Sequence, residues 1–351
     1  MIGAILKEIG LTPQPGLHQK EMIETLYFGG GTPSILVTGE LARILEALRN
    51  KFEFATDIEI TLEANPDDIS IQKLSEWRSV GINRLSLGIQ SFLNEELKWM
   101  NRAHNASQSV ECLGMIREAG FINFSVDLIY GSPLLNDEDW LKNIAIVLKQ
   151  GIPHISAYAL TVEPKTALDK MISMGRSAPI DPDKQARQFI LLMDCLESAG
   201  YEHYEISNFA KPGMRSRHNS NYWAQGPTGK ESTYYGFGPS AHSFDGRSRR
   251  WNIANNPLYI QSLQKNRIPV EEEILTPIQK LNEYIMTSLR TMEGLDLLFV
   301  ADTFGNEFKV NLDVASEKWQ AGRKMVLNNS KLVLTKEGKL FADGIAADLF
   351  F

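Results

Sequence analysis

The sequence predicts an α/β protein: a partial parallel barrel of (βα)6 type followed by a small helical domain. Three observations predict it. Short β-prone apolar runs alternate with amphipathic helical runs over residues 1–208, the pattern of parallel strands joined by crossover helices. Residues with chemical use, glycines 29–31, Glu63, Gln90 and Asp127, fall at or just beyond the C-terminal ends of successive strands, the edge that carries the chemistry in parallel barrels. Near residue 275 the alternation gives way to helical spacing.

Element by element, 1–10 reads as a helix with Ile2, Ile5, Leu6 and Ile9 on one face. A strand at 25–28 ends in three glycines and is followed by a helix at 39–52, with Leu41, Ile44, Leu45 and Leu48 inward. Strands at 57–63, 84–88, 123–129 and 154–160 alternate with helices at 71–80, 110–119, 137–150 and 183–199, and 201–206 reads as the last strand. Residues 209–270 form a second region, a structured loop covering the barrel mouth, because 211–250 are rich in Gly, Ser, Asn and aromatics without a period. Residues 271–351 form the helical domain, with helices at 277–292 and 295–304, a strand at 331–335 and a helix from 336, a winged-helix-like pattern.

Composition excludes some classes. Hydrophobic content of 43% and charged content of 23% are those of a globular chain. No apolar run reaches the length of a membrane span, and the first residues do not resemble a signal peptide. Two cysteines give no disulfide framework, so the expected compartment is the cytoplasm. A net charge of −7 argues against a broad nucleic-acid surface.

Several motifs carry chemistry. Tyr-Phe-Gly-Gly-Gly-Thr-Pro-Ser at 27–34 places glycines where backbone can approach a ligand, with Thr32 as a helix N-cap and Pro33 in the first turn; a plain strand–helix turn explains the glycines equally well. Glu63, in Leu-Glu-Ala-Asn-Pro, is an acid on a strand that otherwise reads as buried and needs a cation or donors. Gln90, Arg102 and Asp127 add an amide, a guanidinium and a carboxylate, a set suited to a zwitterionic nucleoside, although Arg102 also reads as a helix-surface charge. Cys112 and Cys195 sit in apolar helical stripes and read as core residues. His218, Asn219, Tyr222 and Trp223, with His242 in Gly-Phe-Gly-Pro-Ser-Ala-His, fit axial ligation of haem iron between aromatic walls, or histidines hydrogen-bonded in packed loops.

In their order, these motifs resemble the radical SAM superfamily, in its branch of HemW-type haem chaperones and oxygen-independent coproporphyrinogen III oxidases. The resemblance extends to Phe-Ala-Asp-Gly-Ile-Ala-Ala-Asp-Leu-Phe at 341–350. It implies S-adenosyl-L-methionine (SAM) and a 4Fe–4S cluster as cofactors, with Gly30, Gly31 and Thr32 gripping the methionine amino group and Glu63, Gln90, Arg102 and Asp127 completing the SAM site. His-Asn-Ser-Asn-Tyr-Trp at 218–223 matches the H-N-x-x-Y-W pattern of the chaperones, which the decarboxylating enzymes lack at this point. This implies haem binding, with His218 as candidate iron ligand, and delivery to an acceptor such as a respiratory protein, with peripheral membrane association. The family's C-x3-C-x2-C loop and first strand would precede Met1, so the chain as given is expected to hold no cluster and to perform no radical chemistry. The alternatives are an anaerobic coproporphyrinogen III oxidase and a truncated or degenerate member without cofactor. Residues 227–233 form an insertion longer than the family's usual loop.

Overall fold

In the computed structural model, which describes residues 1–13, 20–223 and 233–351, the strand–helix alternation folds into one seven-stranded sheet. Most of the 227–233 insertion lies outside the described residues. The strands are β1 (Met22–Phe28), β2 (Glu53–Ala64), β3 (Arg84–Gln90), β4 (Phe124–Tyr130), β5 (His154–Ala159), β6 (Glu202–Glu205) and β7 (Asn208–Ala210), in the order β1-β2-β3-β4-β5-β7-β6. Pairing from β2 through β5 is parallel, as the crossover helices require. The sheet is the partial barrel that the sequence predicts, with one correction. The single last strand expected at 201–206 is a hairpin: β7 lies antiparallel beside β5, and β6 is at the edge. Only Ile206 and Ser207 separate β6 from β7, too short a link for a parallel crossover.

The apolar stripes go where their spacing sends them. Leu41, Ile44, Leu45 and Leu48 are buried along helix Thr38–Lys51. Leu74 and Trp77 are buried from helix Ile71–Val80, and Trp140, Ile144 and Val147 from helix Asp137–Lys149. In β3, buried Leu85, Leu87 and Ile89 alternate with Ser86, Gly88 and Gln90, so one face feeds the core while the other is polar.

By packing, the chain divides into two units, each discontinuous in sequence: Tyr27–Ile35 with Ile60–Ser216, and Met1–Leu26 with Leu36–Glu59 and Arg217–Phe351. The first holds the C-terminal ends of β1 and β2 and all of β3 to β7.

In the second unit, helix Ile2–Leu11 packs on helices Thr38–Lys51 and Asn256–Gln264. Its buried Glu8 accepts hydrogen bonds from the Gly238 N–H (2.9 Å), the Asn252 amide (2.5 Å) and the Tyr259 hydroxyl. The stretch 211–250, expected as a loop, carries helix Arg217–Trp223, β8 (His242–Phe244) and β9 (Ser248–Asn252), which pair antiparallel with each other and then with β10 (Val270–Ile274). A seven-residue helix and strands of three and five residues are too short to show a period. Toward the C-terminus, helices Pro277–Leu289, Leu297–Phe304 and Asn306–Ala321 accompany a sheet of β11 (Leu295–Asp296), β12 (Met325–Asn328) and β13 (Lys331–Leu334), in the order β11-β13-β12. Helix Asn306–Ala321 buries only Leu312 and Ser316, so its sequence shows no clear apolar face. Among the described residues no helix is long and apolar enough to cross a membrane.

Candidate cofactor site

The glycine loop leaves β1 at Phe28. Gly30 and Gly31 have φ of 81° and 103°, a region that a β-carbon resists. Gly29 is constrained differently: a β-carbon there would lie 2.7 Å from Cε1 of Tyr27 and 2.9 Å from Oε1 of Glu63. Those two side chains are themselves joined, the Tyr27 hydroxyl donating to Glu63 at 2.9 Å, and the Gly30 N–H donates to the other carboxylate oxygen at 3.2 Å. The donors that Glu63 needs are therefore supplied by a tyrosine and the loop. At the far end the Ser34 hydroxyl donates to Asp68 at 2.6 Å. Thr32 and Pro33 do not start the long helix as expected. Pro33 opens a 3-10 turn, Pro33–Ile35, and the helix begins at Thr38 behind Val37.

Gly31, Thr32, Glu63, Gln90, Arg102 and Asp127 line one pocket of about 230 Å³. Gly30 adjoins it through its bond to Glu63. Asn65, Ser86 and Gly88 also line it and escape sequence reasoning, since small polar residues on a strand pass for ordinary alternation. Asn65 had a signal, standing two residues after Glu63 in the same motif. Gln90 ends β3 at φ 68°, just past a register shift against β4. Gly88 gives it room, for a β-carbon there would lie 3.1 Å from both Gln90 Nε2 and Asn65 Oδ1. Arg102 follows helix Asn94–Trp99, its N–H bonded to the Leu97 carbonyl at 2.8 Å. Nearby His104 is buried and anchored to the Ile89 carbonyl at 3.1 Å, with its other nitrogen 3.7 Å from Asp67.

The electrostatics are uneven. Burial pushes the Asp127 carboxyl up to about 7, the charge of Glu63 acts the same way, and the Ser156 and Ser86 hydroxyls and Arg84 oppose it. Burial pushes the Arg102 guanidinium below its ordinary value, against the pull of Asp127 and Asp67. The Tyr27 phenol is driven upward by burial and then by the charges of Glu63 and Asp127, so it stays protonated and can donate to Glu63. A carboxylate, a second carboxyl near neutrality, a guanidinium and an amide fit a zwitterionic ligand with an ammonium, a carboxylate and hydroxyls.

The cysteines do not fit an iron–sulfur cluster. Cys112 is buried in helix Ala106–Glu118, where its thiol donates to the Ser109 carbonyl at 3.1 Å and burial pushes it up to about 12. Cys195, in helix Pro182–Ser198, is also raised, first by burial. A cluster needs thiolates, and both thiols are shifted the other way. Among the described residues no three His, Cys, Asp or Glu side chains are placed to hold a metal ion.

The second candidate set belongs to the other unit. His218, Asn219, Tyr222 and Trp223 share helix Arg217–Trp223, with His218 and Tyr222 one turn apart. The Tyr222 and Trp223 rings meet edge to face at 5.1 Å, Tyr222 continues to Tyr234 at 5.6 Å, and the Arg290 guanidinium lies 5.2 Å over Trp223. His218 Nδ1 is 3.2 Å from the Thr25 hydroxyl. His242 is exposed on β8, its ring 6.2 Å from that of Trp251.

A profile of the radical SAM superfamily matches residues 16–147, and one of the HemN C-terminal domain matches 275–341. The structure is similar to that of coproporphyrinogen III oxidase (HemN) from Escherichia coli, a radical SAM enzyme, with a TM-score of 0.85 over 99% of this chain and 82% of that one; at 23% identity this likeness shows the fold. The class is thus a radical SAM barrel joined to a HemN-type C-terminal domain. The chain is also 32% identical to the heme chaperone HemW of Mycobacterium tuberculosis over 328 residues, 93% of this chain and 80% of that protein. With the heme chaperone HemW of Bacillus subtilis it shares 31% over 344 residues, 97% of this chain and 87% of that one. The chain belongs to the HemW family of the radical SAM superfamily.

Proposed function

We propose that this chain is a haem-binding chaperone that hands haem to an acceptor protein. The observation that carries this reading is the near full-length similarity to heme chaperones, together with His218, Tyr222 and Trp223 on one short helix. An imidazole one turn from a tyrosine, with an indole beside it, offers a ligand nitrogen and flat apolar area to a porphyrin. His242 is the second candidate ligand.

On the same reading the barrel pocket is the SAM site, with weak affinity expected where no cluster iron chelates the methionine amino and carboxylate groups. Glu63 and Asp127 take its ammonium and hydroxyls, Arg102 its carboxylate, Gln90 its polar edges, and Gly30, Gly31 and Thr32 give it backbone contact. SAM supplies a sulfonium bearing an adenosyl group. The working compartment is the cytoplasm, with a respiratory acceptor and peripheral membrane association.

Titration with ferric haem tests the reading. A saturable Soret band should form, and in His218→Ala it should shift or weaken while the melting temperature stays near that of the parent. An unchanged Soret spectrum and affinity would remove His218 and move the assignment to His242. Failure of both histidine variants to alter haem binding, or anaerobic decarboxylation of coproporphyrinogen III by the chain, would overturn the chaperone reading.

A further inference from the structure

We infer that Thr25 and Glu59 are positioning residues that present Nε2 of His218 to haem iron, an inference that rests on His218 being the ligand. Two groups from neighbouring strands fix this histidine. Thr25, on β1, sets its hydroxyl 3.2 Å from the ring Nδ1. Glu59, on β2 and only 4% exposed, accepts the Arg217 N–H at 3.1 Å on one carboxylate oxygen and the His218 N–H at 3.0 Å on the other. Thr25 bears on the ring, Glu59 on the backbone that carries it.

The Glu59 contact has a clear physical cause. The first N–H groups of a helix have no partner within it, and the helix starts with positive character. One buried carboxylate meets two of these groups and is in turn relieved of an unpaired buried charge. β2 also holds the neighbouring side chain: the Arg217 guanidinium donates to the Asp57 carbonyl at 2.7 Å and to the Asp57 carboxylate at 3.0 Å. The start of the helix is therefore clamped to one strand at both main chain and side chain.

The Thr25 contact has a chemical consequence. Iron takes a deprotonated ring nitrogen, and the tautomer is set by the hydrogen bond that the other nitrogen makes. On this inference Nδ1 carries the proton and donates to the Thr25 hydroxyl, which leaves the lone pair on Nε2. A purely structural role does not need a hydroxyl here, since valine has the same branched shape.

Thr25→Val separates the two roles. In the haem-free parent, long-range nitrogen–proton NMR correlations should show His218 protonated on Nδ1, and Thr25→Val should lose that preference. Ferric haem should bind the variant about tenfold more weakly, as for other hydrogen-bond partners of metal-bound histidines. Its Soret band should change, its melting temperature should stay close to the parent's, and Thr25→Ser should restore the parent behaviour. Glu59→Gln should speed amide exchange at Arg217 and His218. The inference is overturned if the parent ring is protonated on Nε2, if Thr25→Val keeps parent affinity and spectrum while His218→Ala loses them, or if amide exchange is unchanged in Glu59→Gln. A His218→Ala variant that binds haem like the parent instead sinks the ligand assignment, and the inference falls with it.

Discussion

The hydroxyl of Tyr27 donates to the carboxylate of Glu63 across 2.9 Å, and the same carboxylate accepts the N–H of Gly30, so the glycine loop is shaped by the pocket's own acid. Tyr27→Phe removes the first bond and leaves the ring in place. The expected cost is about 1.5–3 kcal/mol, the range for a hydrogen bond to a charged group. Amide exchange at Gly30 should quicken and SAM affinity should fall. A variant with parent melting temperature and parent exchange at Gly30 would show that the tyrosine does not hold the loop.

The neighbouring glycines should respond differently to alanine. A methyl group at Gly29 meets the Tyr27 ring and Glu63, while one at Gly30 meets nothing within 4 Å and pays only for φ of 81°. Gly30→Ala should cost about 1 kcal/mol of backbone strain. Gly29→Ala should cost about 1–3 kcal/mol from overpacking and should also break the Tyr27–Glu63 contact. Denaturant melts of both variants check the order, and a Gly29→Ala protein as stable as Gly30→Ala would contradict it.

Asp127 ties the pocket to pH. Its carboxyl titrates near 7 in the fold against an ordinary value of 3.8, raised first by burial, so the folded chain holds this proton more tightly than the unfolded one. The stability it contributes is fully present below the ordinary value and is lost as pH rises through 7. Binding of an ammonium group runs the other way, since it needs the anion, and should strengthen over the same rise. Asp127→Asn should flatten both trends. Chemical melts and SAM calorimetry at about pH 6 and about pH 8 would show it, and a SAM affinity that rises with pH equally in parent and variant would assign the effect to another group.

Buried Glu8 secures the other unit. Truncation in Glu8→Ala leaves the Gly238 N–H and the Asn252 amide short of an acceptor, and leaves a void beside Tyr259. The expected loss is about 3 kcal/mol, with Glu8→Gln milder because the amide oxygen still accepts. Thermal melts decide, and a Glu8→Ala protein within a degree of the parent would show that water replaces the carboxylate.

The sequence showed the crossover rhythm and most of the rim because both follow from spacing. Glu63 and Gln90 end or nearly end strands of legible length, and Arg102 follows a helix next to one of them; Asp127, expected at a strand end, instead sits at the middle of β4 and reaches the pocket from there. What stayed hidden depends on tertiary contact. Glu59 looks like any outward charge on an alternating strand, yet it caps a helix 158 residues away. Thr25 reads as a β-branched strand residue, and only folding brings its hydroxyl to His218. The β6–β7 hairpin was missed because four and three residues are below the length at which periodicity speaks.

At Gln90 the backbone and the pocket ask for different residues. A φ of 68° is most easily held by glycine or asparagine, while the wall of the cavity takes an amide on a longer stem. Substitution toward the easier residues would harden the protein and blunt its site together. Durability and ligand recognition are thus in competition at a single position, and efforts to make this fold more robust have better prospects on helix surfaces such as that of Asn306–Ala321, where few side chains are buried.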